Sequence, residues 1–508
     1  MNARRRPPDR ATSRQLLDRA RHPTRRAAVL LLIVATLAVA AALDLGGGAA
    51  APGATAPVLN GPTVPAPDAV SAAWYCAEGT GSPGQRANET IWIANLGDHE
   101  ARANVTVMPG GDIEPSSRRV TVAAHGQVSV PVSSVVSAAE VAEQTGIISG
   151  PGVVVETFGG RAIVEHEIDG QIDGQADVAV GPCAREPGRD WYFAAGTTER
   201  GAEQRLSLFN PFADDAILDL SFATDAGLVA PTDLQSVVVP RRSRVTVPLA
   251  NFVRRQAQVG ARVHVRTGRV VAEQSLEFTS ENETRRGLTL SLGANAPALS
   301  WTLPGGVTED GVSHAIYVAN FDAAATEVEI APRFEDQNTV APSRVAIAGR
   351  STALVDLRPL VGSSAPFGVE VRATHGVPVV AEELGAWGPP ADATGAATAL
   401  GSPLPARVWA FSLGRLASDD RATVSVLNPG RDDAAVRLFV YEPGAGGAAD
   451  EREIGVRAGK QGSFNLGELE IPADRVIVVR ANVPVVAARR ILGAGGASLA
   501  PGVPDARR

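Results

Sequence analysis

The chain is nearly devoid of lysine: Lys460 is the only one, although Lys and Arg together number 47. Cysteines and methionines number two each, histidines seven, and aromatic residues make up 5% of the 508 positions. Each shortage narrows the possibilities. With so few aromatics, any core must be built mainly from Val, Ala, Leu and Ile, which the 44% hydrophobic content supplies. No G-x-S-x-G, H-E-x-x-H, Walker A or dinucleotide fingerprint occurs, so no catalytic residue, cofactor or metal site is expected. The histidines (22, 99, 125, 166, 264, 314 and 375) occupy no repeated position and read as surface or turn residues. A pronounced net positive balance is found at the start. Residues 1–26 hold nine Arg against Asp9 and Asp18, a local +7 that leaves about −15 for the rest of a chain whose total is −8. An acidic body excludes a nucleic-acid partner, which needs a basic surface to displace counterions.

Long apolar runs are equally scarce, with one exception. Ala27–Leu43 is apolar for 17 positions apart from Thr36, close to the shortest helix that spans a bilayer. Residues 27–44 therefore read as a transmembrane signal-anchor, with the Arg-rich tail 1–26 in the cytoplasm and everything after it outside. A cleaved signal peptide, processed near Ala40–Ala42 or Ala49–Ala51, is the alternative, and it would give a secreted protein. No cysteine lies near the end of the span, which argues against a lipoprotein anchor. Residues 45–70, rich in Ala, Gly, Pro and Thr, read as a spacer.

What the chain does have is a repeated phrase. Trp74 (WYCAEG), Trp191 (WYFAAG), Trp301 (WTLPGG) and Trp409 (WAFSLG) each open a unit. An Asn then closes an alternating run: Asn95, Asn210, Asn320 and Asn428, at separations of 21, 19, 19 and 19. Successive Trp residues lie 117, 110 and 108 apart. The units are 71–188, 189–299, 300–406 and 407–500. Within each, β-branched runs of period two alternate with Gly, Pro, Asn and Asp, the signature of short strands. Seven such strands in about 110 residues predict an all-β chain, a tandem array of four immunoglobulin-like antiparallel β-sandwiches after one N-terminal transmembrane helix. We expect them to form a rod. A propeller is the competitor, but its blades need only about 40–50 residues. Beyond the span, the one helical turn expected is near Ser137–Gln144.

Cys76 and Cys183 bracket the first unit and predict a disulfide across it. The last hairpin of each unit carries an acid: Glu165, Glu273 and Glu382, with Ala488 in the fourth. These are possible contact residues, although a solvent-facing strand position or a loop-capping carboxylate is the plainer reading. Asp169, Asp173 and Asp177 (IDGQIDGQAD) read as a solvated double turn, with Ca²⁺ as the functional alternative. Trp92, Trp387, Tyr192 and Tyr317 are candidate sugar-stacking aromatics, although Trp92 and Tyr317 lie in alternating strands and suit a core.

Taken together, the Arg-rich start, single span, Ala/Pro spacer and W-x-F…L-x-L-x-N-P…V-V-A-E phrases resemble a family of actinobacterial anchored or secreted proteins of unknown function. The Arg- and Ala-heavy composition suits a GC-rich bacterial genome. The resemblance implies a setting among envelope glycosyltransferases and supplies no catalytic residue. The expected function is a non-enzymatic envelope protein, a binding or scaffold module for a glycan or for a membrane protein that assembles one. The alternatives are a secreted adhesin or surface-layer component and, last, an unrecognised hydrolase.

Overall fold

The computed structural model describes residues 61–79, 88–110, 113–136, 142–144, 147–282, 285–335, 340–362, 366–391, 393–414, 416, 419–469, 471–472 and 474–505. The predicted span 27–44 and most of the spacer lie outside them. Among the described residues, no helix is long and apolar enough to cross a membrane. The described residues belong to one compact unit.

The protein is all-β, and its sheets are antiparallel apart from one isolated parallel contact between Thr224 and Ser351. The first repeat shows the plan. Its opening strand Ser71–Cys76 pairs with Gly152–Phe158, which pairs with Ala101–Met108 and then Ser116–Val122. The second sheet runs Gln175–Pro182, Ala162–Ile172, Asn88–Asn95, Gln127–Pro131. Burial follows the period-two pattern: in Ala101–Met108, Ala101, Ala103, Val105 and Val107 point inward and the residues between them do not. The same pairing recurs down the chain. In the fourth repeat a single long strand, Val476–Gly493, serves both sheets.

Of the helical turn expected near Ser137–Gln144, only 142–144 lie among the described residues, and they are not helical. Ala142–Gln144 is a strand that pairs with Ile147–Gly150, and that strand pairs with Ser243–Pro248 of the second repeat. The first repeat thus extends a sheet of the second.

The expected rod is not what forms either. The first repeat packs against the fourth as well as the second. The Val64 amide donates to the Pro504 carbonyl at 2.9 Å, Arg161 pairs with Asp505, and one core combines Trp74, Ile91 and Val155 with Ala410, Val476 and Val503. The succession of repeats closes on itself. The physical cause lies in the last strand of each repeat: Gln175–Pro182, Gly287–Leu292, Gly395–Leu400 and Gly496–Pro501 pack against one another in a cycle, first with second, second with third, third with fourth, fourth with first. These inner strands are small-residue and apolar (VAVGP, LTLSL, AATAL, ASLAP), so their backbones approach closely around a common axis.

Candidate functional site

Register identifies equivalent positions without reference to the alignment of letters. Glu165, Glu273, Glu382 and Ala488 pair with Pro182, Leu292, Leu400 and Pro501, respectively, on the inner strands. From there the recurrent residues can be assigned roles.

The four Asn residues are turn locks. Each side-chain amide donates to the carbonyl four residues on: His99, Asp214, Ala324 or Asp432, all at 2.8 Å. Each Oδ1 accepts the amide two residues on, at Gly97, Phe212, Asp322 or Gly430. Each side chain is thereby satisfied in a fully buried position, as a buried amide must be. The Trp residues are core. Trp191, Trp301 and Trp409 each donate Nε1–H to a carbonyl of the later hairpin, at Val270, Val379 and Val485. Trp74 instead lies under the Arg185 guanidinium, 4.9 Å from the ring centroid.

The recurrent acids do not face solvent: Glu165, Glu273 and Glu382 are all 0% exposed. They join one repeat to the previous one. Glu273 Oε2 accepts the amides of Ala77 and Glu78, at 2.9 and 2.6 Å. Glu382 Oε2 accepts those of Ala194 and Ala195, at 2.9 and 2.6 Å. Glu165 closes the cycle, accepting from Ser412 of the fourth repeat and from Arg489 at 3.2 Å. The acceptor always reads the residues just after an opening Trp. At the remaining joint the acid is absent, and so is the first of its two amide donors: Ala488 replaces Glu, and Pro304, which has no N–H, stands at the first receiving position. There Gln461 Oε1 accepts the Gly305 amide at 3.2 Å, and Arg490 donates to the Gly305 carbonyl at 2.6 Å. Burial raises the carboxyl of Glu382 to about 7 against the two amides that oppose it. Burial likewise raises Glu165 against Arg489.

A second polar pair sits one residue further along each hairpin. It is Glu89–His166 in the first repeat (3.0 Å), Gln204–Gln274 in the second (2.7 Å) and His314–Glu383 in the third (2.5 Å). In the fourth, the corresponding positions are Ala422 and Arg489, opposite Ile491 and Val424, and Arg489 turns to Glu165 of the first repeat. His166 and His314 are therefore buried and equivalent, although on opposite strands of the pair. That exchange is why their spacing looked random. His125 is buried too, stacked on Tyr441 of the fourth repeat with ring centroids 4.5 Å apart. Burial works against protonation of His166, but the carboxylates of Glu273 and Glu89 outweigh it and lift the imidazole to about 10.

The Cys76–Cys183 disulfide is present. Its counterparts explain its placement. Where Cys183 stands, the other inner strands end in Gly293, Gly401 and Gly502, and Cβ atoms there would meet Phe193, Leu303 and Phe411 at 2.7, 3.0 and 2.6 Å. Those three occupy the position of Cys76. A glycine beneath a large apolar side chain in three repeats is a disulfide in the first.

The cycle leaves a polar cavity of about 410 Å³ at one end of the inner strands, lined by Gln175, Asp177, Arg286, Thr394 and the glycine-alanine turn at 493–494. Asp177 occupies the position held elsewhere by Gly287, Gly395 and Gly496, and it is buried. A Cβ on Gly496 would lie 2.1 Å from its Oδ1. Desolvation raises Asp177 to about 8 despite bonds from the Val178 and Leu288 amides.

The Asp-Gly run is not a double turn. Asp169–Gly170 lies within a strand, and only Asp173–Gly174, both at positive φ (51° and 78°), makes the hairpin turn. Asp169 accepts from Asn88, Asp173 from the Ser280 amide, and Asp177 lies at the axis. The three have separate partners. Trp92, Trp387, Tyr192 and Tyr317 are all buried, so none is an open sugar platform.

A family model matches residues 164–397 and again 274–501, the second match beginning 110 residues after the first, the same step as from Trp191 to Trp301. The chain belongs to DUF5719, a family of unknown function. No curated protein matches the sequence. Among solved structures, Thermotoga maritima 1070 is 20% identical, covering 21% of this chain and 93% of its own at a TM-score of 0.19. The Anabaena sensory rhodopsin transducer is 20% identical, over 17% and 80%, at 0.16. A tetra-tandem repeat from the extending region of a large adhesion protein is 14% identical, over 86% and 100%, at 0.11. Likenesses at these scores carry no argument about activity.

Proposed function

We propose that this DUF5719 protein is a non-enzymatic binding module of the cell envelope. In this reading each repeat is an immunoglobulin-like sandwich, residues 27–44 anchor the chain in the membrane, and the repeats lie outside the cytoplasm. The ligand is a segment of envelope glycan. The observation that carries the proposal is the axial cavity. Its polar lining is built from several repeats, and Asp177 interrupts a glycine position there. Sugar hydroxyls both donate and accept, so they suit a wall that offers a carboxyl, a guanidinium, an amide and a hydroxyl (Asp177, Arg286, Gln175 and Thr394).

The Glu residues common to three repeats support the non-enzymatic part. They bond backbone amides at the joints, an architectural use of groups that would otherwise be candidate acids. The test is photo-cross-linking in cells from a probe at Thr394, with mass spectrometry of the product. Capture of glycan is the expected result. Capture of a membrane glycosyltransferase alone would replace the glycan-binding reading with a scaffold reading. Capture of neither would sink both.

A further inference from the structure

We infer that the Cys76–Cys183 site has a second state: with the disulfide reduced, Cys76, Cys183 and His166 bind one zinc ion, and Glu273 is the fourth ligand. This goes beyond the glycan reading and does not depend on it.

Three of the four ligands are already assembled. One ligand atom each from Cys76, His166 and Cys183 lies within 4.8 Å of the others, all three residues being buried. Tetrahedral zinc with bonds of about 2.0–2.3 Å holds its ligand atoms roughly 3.3–3.8 Å apart, so the closed disulfide needs its sulfurs to part and little else to move. A further observation points to a ligand: Glu273 Oε1 is buried without a hydrogen-bond partner, an arrangement that is costly unless something completes it. His166 Nε2 meets the same carboxylate, 3.4 Å from Glu273 Oε2. The other face of the imidazole is held by Glu89, 3.0 Å from Nδ1. Such a carboxylate orients a metal-binding histidine and leaves Nε2 as the donor. Glu273 keeps Oε2 on the Ala77 and Glu78 amides and offers Oε1. Cys76, Cys183 and His166 come from the first repeat and Glu273 from the second, so the ion would tie the joint that the disulfide now borders.

The chemistry balances with a phosphine reductant. The phosphine gives two electrons to the S–S bond and becomes a phosphine oxide, taking its oxygen from water, whose two protons appear on the two thiols. Zinc then displaces both thiol protons and the Nε2 proton of His166, releasing three protons in all. The ligand set of two thiolates, one imidazole and one carboxylate is a borderline-soft donor set suited to Zn²⁺.

The test is made on the full chain, produced in a reducing cytosol and purified without oxygen in the presence of the phosphine. Co²⁺ replaces zinc as the probe. The expected result is one equivalent of cobalt with the intense thiolate-to-metal band and tetrahedral visible bands, displaced stoichiometrically by Zn²⁺ and released on oxidation. Folding is followed in parallel by circular dichroism. His166→Gln and Cys183→Ser should each abolish the tetrahedral spectrum. Folding that appears only when metal is added also supports the site. A folded, reduced chain with weak octahedral cobalt spectra overturns it. So does a His166→Gln variant with an unchanged spectrum, or a reduced chain that stays unfolded with and without metal.

Discussion

The joint between the first and second repeats and that between the third and fourth occupy equivalent places and use opposite chemistry. At the first, Glu273 accepts two backbone amides and Arg244 donates to the Ala77 carbonyl at 3.1 Å. At the second there is no acid, and of the two amides that would donate to it only that of Gly305 remains. Ala488 and Pro304 have changed together, and Gln461 and Arg490 take over. Arg244 and Gln461 are themselves equivalent, since they face Phe209 and Leu427, the residues before the turn-locking Asn. The comparison shows what a joint requires. The turn after each Trp must have its buried backbone groups satisfied, and the donors and acceptors can be exchanged provided both sides change.

The hardest way to break this pattern is at the closing joint between the first and fourth repeats. Arg489 and Glu165 are 1% and 0% exposed and 3.2 Å apart. Arg489→Ala leaves a carboxylate buried without its counter-ion, a loss of about 3–5 kcal/mol. Chemical denaturation should show it as a lower midpoint, and amide exchange should rise first along Ala162–Ile172. A midpoint like that of the parent would mean that the pair contributes nothing to closure.

Putting the acid back sharpens the comparison. Ala488→Glu alone should destabilise by about 2–3 kcal/mol, because Pro304 cannot receive the new carboxylate. Adding Pro304→Ala restores an amide and should recover about half of that loss. Equal stability of the single and double variants would show that the two positions are uncoupled.

A pH-dependent effect of similar size lies at Glu382. Its carboxyl rises from the usual 4.5 to about 7 through burial, so the folded state holds its proton to higher pH than the unfolded chain. The stabilisation is present below about 4.5 and is lost as pH rises through about 7, roughly 3 kcal/mol in all. Asp177, raised from 3.8 to about 8, and His166, raised from 6.5 to about 10, lose stability in the same direction. Melting temperature should therefore fall between pH 5 and 9. Glu382→Gln, which keeps an oxygen for the two amides, should flatten that fall; an unchanged slope would remove Glu382 from the explanation.

Much of this was legible in the residues. Trp, Asn and the alternating runs marked the repeats and the all-β fold, because strand periodicity and turn chemistry are local. The disulfide followed from two cysteines that bracket one unit. Closure was not legible, since it depends on how small inner strands such as AATAL meet one another across hundreds of residues. The burial of Glu165, Glu273 and Glu382 was not legible for the same reason: each lies on a strand paired on both sides in its own repeat, and the groups that it bonds belong to a neighbouring repeat. The loss of Glu at Ala488 beside a prolyl turn at Pro304 was a readable signal, visible once the two positions are known to face each other. Asp177 was read as part of an Asp-Gly run, when its meaning lies in the three glycines that replace it elsewhere.

Closure is the claim on which the joints, the axis and the cavity all depend. It is tested most directly by a distance between the ends of the cycle. Spin labels placed at Arg161→Cys and Asp505→Cys, with the native disulfide intact, would be read by pulsed electron resonance. A single short, narrow distance is the predicted result, because those two side chains form an ion pair. A broad distribution extending to several repeat lengths would mean an open rod, and would contradict the account.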